Sequence, residues 1–163
     1  MSVSSAITAE PAAARRVTPR HLSPSRPVSL VVAHGDAAYR DRLSRTIASR
    51  PDLRLVGETG DGIEAARLVA SRHPDVAVVD IRARRLDGIA LCERITARGH
   101  GSRTHVVLMD TRPDPSRVKN AIDAGAAGYV ANDLPPERVL GAVLRVARGG
   151  TDFSPATHWP AAA

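Results

Sequence analysis

Four short apolar runs in this 163-residue chain end in side chains able to do chemistry. Ser29-Leu30-Val31-Val32-Ala33 leads into His34, Gly35 and Asp36, and Val76-Ala77-Val78-Val79 leads into Asp80. His105 to Met109 leads into Asp110 and Thr111, and Gly128-Tyr129-Val130-Ala131 leads into Asn132 and Asp133. Carboxylates and an imidazole gathered around one spot could hold a divalent cation or accept a phosphoryl group. His34 with Asp36 and Asp80 would suit a transition metal, because imidazole is a better ligand for such ions than for Mg²⁺.

For these residues to meet, the runs must be parallel strands, since open parallel sheets bind ligands outside the carboxyl ends of their strands. From Val28 onward, apolar runs alternate five times with amphipathic helical patterns, the rhythm of a parallel sheet. The first helix carries Tyr39, Leu43 and Ile47 at four-residue spacing, with Asp36 placed to cap it and Pro51 to end it. A second strand spans about residues 54–58, and its helix shows Ile63, Ala66 and Ala70 on one face. The third strand, 76–80, is apolar on both faces, as a central strand must be. The third helix bears Leu91, Cys92 and Ile95, the fourth Val118, Ala121 and Ile122, and the fifth Leu140, Val143, Leu144 and Ala147. Asp114 and Asp133 read as further helix caps, and Gly149-Gly150 stops the last helix.

Enzyme motifs are missing from these positions. Neither G-x-G-x-x-G nor G-x-x-x-x-G-K-[ST] follows a strand, so the glycine-rich phosphate cradles are lacking, and there is no G-x-S-x-G elbow. A haloacid dehalogenase phosphatase needs a second Asp two residues after its nucleophile, where Asp80-Ile81-Arg82 has a cation. Cys92 is the only cysteine, which excludes an internal disulfide and a Cys-rich zinc site. No catalytic activity is expected.

The formal charge is +6, but half of it lies in residues 1–27, where four arginines face one glutamate. Aromatic residues are 2% of the chain, too few for stacking platforms, so no nucleic-acid partner is expected. No run of about 18 apolar residues exists, and a cytoplasmic location without a membrane partner is expected. The reading is a disordered basic leader at 1–27, one domain at 28–150 and a short C-terminal tail at 151–163.

The segments Pro74-Asp75-Val76-Ala77-Val78-Val79-Asp80-Ile81-Arg82, Leu86-Asp87-Gly88, Ala124-Gly125-Ala126-Ala127-Gly128-Tyr129 and Ala147-Arg148-Gly149-Gly150-Thr151 with Phe153-Ser154-Pro155 occur in order. Together they resemble the receiver domains of bacterial two-component response regulators, NarL/LuxR-type branch, without the helix-turn-helix output domain. The resemblance implies a flavodoxin-like (βα)5 doubly wound α/β fold with strand order 2-1-3-4-5. It places the phosphoacceptor at Asp80, the Mg²⁺-holding acidic pair at His34 and Gly35, the switch hydroxyl at Asp110, the switch aromatic at Tyr129 and the conserved-type lysine at Asn132. Only Asp80 keeps the family's residue type among the phosphoryl-handling positions. Asp36 could partly replace the acidic pair at a degraded Mg²⁺ site with Asp80, and Arg82, Arg84 or Arg85 could replace the lysine as a cation.

The function expected from this is a stand-alone atypical receiver that acts by protein–protein contact, independent of phosphorylation. Its partner would be a sensor kinase, a regulator or a second copy, met through helix four, strand five and helix five. The alternatives are a receiver slowly phosphorylated on Asp80 in a phosphorelay, a relic of a transcription factor, and a small metal- or ligand-binding protein using His34, Asp36 and Asp80.

Overall fold

Runs of β-branched residues apolar on both faces can be satisfied only between two layers of helix, and this is where they lie. The computed structural model describes residues 26–97 and 103–154. The elements alternate as β1 (Val28–Ala33), α1 (Ala37–Ala48), β2 (Leu53–Thr59), α2 (Gly62–Arg72), β3 (Val76–Asp80), α3 (Gly88–Thr96), β4 (His105–Asp110), α4 (Pro115–Asp123), β5 (Gly128–Ala131), α5 (Pro136–Ala147) and β6 (Asp152–Ser154). All pairings are parallel, and the order is β2-β1-β3-β4-β5-β6. The expected doubly wound, flavodoxin-like sheet is present, with one strand more than expected at its edge.

Two cores sandwich the sheet. On one face Leu30, Val32, Val78, Val107, Met109 and Val130 meet Tyr39, Leu43 and Ile47 of α1 and Val139, Leu140, Val143 and Val146 of α5. On the other, Val31, Val79, Leu108 and Tyr129 meet Ala65 and Val69 of α2, Leu91, Cys92 and Ile95 of α3 and Ala121 of α4. Alternate residues of each strand serve opposite cores, which is the period of two that a pleated strand imposes.

The expected stripes of α1 and α3 are the buried ones. Two others need correction. In α2 the buried residues are Gly62, Ala65 and Val69 rather than Ile63, Ala66 and Ala70. The cause is Gly62, where an added Cβ would stand 2.1 Å from the Leu86 carbonyl oxygen, so this contact sets the helix's rotation. In α4 only Ala121 is fully buried, and Ile122 is 51% exposed. Asp36, Asp61, Asp87 and Asp114 cap α1 to α4 through their side chains. Asp133 does not cap α5, whose N-cap is Pro135 without a side-chain hydrogen bond.

The second difference is β6, which falls in the expected tail. Asp152 is buried and accepts from Arg145 Nε at 2.7 Å, tying the strand back to α5, while Tyr129 and Phe153 stand side by side in the β5–β6 register. The first 25 residues of the expected leader, and residues 155–163 of the tail, lie outside the described residues.

Helix α5 also carries Gly141 in its interior, where nothing stands within 4 Å of an added Cβ. Gly141→Ala is therefore expected to stabilise the domain by about 0.5–1 kcal/mol, read as a higher urea midpoint with an unchanged slope. A lower midpoint would contradict the open space seen there.

Candidate functional site

The carboxyl ends of β1, β3, β4 and β5 bring Asp80 into a closed circuit of polar contacts. Asp80 is buried, and its Oδ1 accepts from the Arg82 backbone amide at 3.0 Å. The Arg82 guanidinium donates to Thr111 Oγ1 at 3.2 Å, and Asn132 Nδ2 stands 3.5 Å from the same hydroxyl. Asn132 Oδ1 is 3.0 Å from His34 Nε2, and that nitrogen is 3.7 Å from Asp80 Oδ2. His34 Nδ1 accepts from the Asp36 amide at 3.1 Å, so in the neutral ring the proton sits on Nε2 and is donated to Asn132. The ring of His34 stacks on Tyr39 with centroids 4.6 Å apart, which holds it in this orientation. A cleft of about 420 Å³ opens above, lined by His34, Gly35, Asp36, Arg42, Asp80 and Arg82 among others.

A second cluster sits one strand further. Asp110 is 1% exposed, and its Oδ2 accepts from the Tyr129 hydroxyl at 2.5 Å and from Arg117 Nη1 at 3.0 Å. Its Oδ1 accepts from the Arg112 amide at 3.1 Å and from Arg117 Nη1 at 3.2 Å. Burial works against the Asp110 carboxylate, yet the Tyr129 hydroxyl, the Arg112 amide and Arg117 together hold its pKa below the ordinary value. Burial and the same carboxylate raise the Tyr129 phenol, which stays a donor. Tyr129 is completely buried, directed into the core between β5 and α4 rather than to solvent.

A profile for the response regulator receiver domain matches residues 24–144. The chain belongs to this family. The receiver is 30% identical over 128 residues to a probable transcriptional regulatory protein NarL of Mycobacterium tuberculosis, an alignment covering 78% of this chain and 58% of that protein. It is 26% identical to the transcriptional regulatory protein DegU of Brevibacillus brevis, over 80% of this chain and 55% of the relative. The chain thus spans less than two thirds of the length of these relatives. The solved signal receiver domain of the putative response regulator NarL from Mycobacterium tuberculosis superposes with a TM-score of 0.71 at 30% identity, covering 76% of this chain and 98% of that domain.

In the receiver, His34 and Gly35, which the resemblance sets at the Mg²⁺-holding positions, do not suit that ion. Mg²⁺ is bound through carboxylate, phosphate and water oxygens, whereas here an imidazole N–H donor stands 3.7 Å from the buried Asp80 carboxylate. Asp36 serves as the cap of α1, its Oδ1 accepting from the Ala38 and Tyr39 amides. His34, Asp36 and Asp80 likewise fail to converge as a metal site, and no such group of three occurs among the described residues.

Of the three candidate cations only Arg82 reaches the circuit around Asp80. Arg84 Nε bonds to the Gly60 carbonyl and Arg85 pairs with Asp61, so both turn toward the end of β2. Thr111 stands in the sequence only as the neighbour of Asp110, and Arg117 is the member of these clusters that sequence reasoning misses. The signal for Arg117 was present as a cation one turn into the helix that follows a buried acid. No helix of the described residues is long and apolar enough to cross a membrane.

Proposed function

We propose that this receiver transmits by protein–protein contact from one fixed conformation, independently of phosphorylation, in the cytoplasm. The observation that carries the reading is the Asp110–Tyr129–Arg117 cluster. On the resemblance, Asp110 takes the place of the family's switch hydroxyl, and its carboxylate accepts from the buried Tyr129 hydroxyl and from Arg117. A phosphoryl group on Asp80 would add about −1.5 to −2 of charge near that carboxylate. The circuit around Asp80 offers no second carboxylate for Mg²⁺ and no lysine, and Asn132 is engaged by His34. The partner is another protein, a sensor kinase or regulator, or a second copy. The face formed by α4, β5 and α5 serves this contact with β6 as its border, since β6 pairs along the outer edge of β5.

Intact-protein mass after incubation with acetyl phosphate and Mg²⁺, beside Asp80→Asn and a conventional receiver, tests this. The expected result is no adduct on the wild type while the control is labelled. An adduct on the wild type that Asp80→Asn abolishes would overturn the reading and favour slow phosphorylation of Asp80, with Arg82 as the supporting cation.

A further inference from the structure

At the β2 side of the sheet's carboxyl end, against the backbone of His34, two arginines from different elements converge. Arg40 of α1 donates through Nη1 to the His34 carbonyl at 2.6 Å and the Gly35 carbonyl at 3.5 Å. Arg84, in the β3–α3 loop, donates through Nε to the Gly60 carbonyl at 3.4 Å. A Cβ at Gly60 would stand 3.0 Å from Arg40 Nη1 and 2.9 Å from Arg84 Nη2, so these nitrogens are no more than about 6 Å apart.

Neither guanidinium has a carboxylate partner among the described residues. The nearest acid in the loop, Asp61, is taken by Arg85, which adopts a left-handed φ of 63° and holds the Asp61 carboxyl down to about 2. Two like charges are thus kept together by backbone carbonyls alone. Each guanidinium carries five N–H donors, and these contacts use one nitrogen of each. An open parallel sheet also binds ligands at this level, beside the switch point between β1 and β3.

We propose that Arg40 and Arg84, converging over Gly60, form a binding site for a phosphate dianion, free or as a small organic phosphate monoester. Planar guanidinium forks match phosphate oxygens in bidentate pairs. A dianion offsets both charges at once, whereas chloride offsets one. Gly60 leaves the space between the two guanidinium ends open.

The test is an NMR titration of the full chain, following the arginine Nε–H and Gly60 and Asp61 amide resonances. Inorganic phosphate and glycerol phosphate are added separately at about pH 8.2, above the second pKa of both, with ionic strength held by sodium chloride. Saturable shifts centred on Gly60 are expected. Arg84→Gln, at an exposed side chain, should weaken binding about tenfold or more. Saturation by both compounds identifies monoester recognition, and saturation by phosphate alone identifies the free ion. Shifts that follow ionic strength, or Arg84→Gln binding as the wild type does with a dispersed, folded spectrum, would overturn the proposal. None of these outcomes depends on whether Asp80 accepts a phosphoryl group.

Discussion

Asp110→Ala is expected to lower the receiver's stability by about 2–4 kcal/mol, a melting-point drop on the order of 10 °C. Among the described residues the carboxylate is the sole acceptor of the Tyr129 hydroxyl, and that residue is fully buried, so removing Asp110 leaves the hydroxyl without a partner there. The Arg112 amide and one face of Arg117 lose an acceptor as well. Arg117 itself is 46% exposed and can return to water, which is why the loss falls short of a fully buried pair broken in half. Tyr129→Phe should cost about 1 kcal/mol, and the double variant should cost less than the sum of the two. Additive effects would show that the tyrosine and carboxylate are not coupled.

The same cluster sets an acid limit. Because the folded Asp110 pKa is depressed, the folded state holds fewer protons than the unfolded chain in the interval between the two pKa values. Its contribution is fully present above the unfolded carboxylate value of about 3.9 and is lost as pH falls through the lower folded value. Wild type and Asp110→Ala should therefore differ most well above the unfolded carboxylate value and approach each other as pH falls through the lower folded one. A difference that grows on acidification would contradict the assignment.

Gly62→Ala should be as damaging, about 3 kcal/mol or more, for a purely steric reason. The new methyl would begin 2.1 Å from the Leu86 carbonyl oxygen and 2.9 Å from its carbon, both backbone atoms that cannot rotate aside. At the same place the Gly62 amide donates to the Arg84 carbonyl at 2.8 Å. The start of α2 and the β3–α3 loop must separate together, and Asp61 with Arg85 must part. Chemical denaturation of Gly62→Ala beside Gly141→Ala makes the comparison direct, one glycine crowded and the other open. Equal midpoints for the two variants would refute the steric account.

What was readable in the sequence follows from the range of the forces involved. The α1 and α3 stripes and the strand-end position of Asp80 are set by local periodicity and by apolar runs, so spacing alone reveals them. The α2 stripe is set by one carbonyl of a loop 24 residues away and could not be read from spacing. Strand β6 has three residues and no pattern of its own. It exists because the β5 edge accepts it and Arg145 anchors Asp152. Asp110 and Tyr129 were each visible as departures or matches, but their bond spans 19 residues and joins adjacent strands. The direction of Arg84 and Arg85 depended on Asp61 and Gly60, which no motif connects to them.

Strand β6 has a mechanical consequence. Helix α5 runs back across the sheet, and β6 then turns the chain to run parallel with β5, so that Ser154 lies beside Val130, near the rim where Asn132 meets His34. Tension applied beyond Ser154 along the strand axis would load the β5–β6 hydrogen bonds and the Arg145–Asp152 tether together, in shear, instead of unpeeling α5 from its end. The strain would pass from Ser154 to Phe153, beside Tyr129. Whatever tugs on that end of the receiver pulls on the aromatic that Asp110 holds in place.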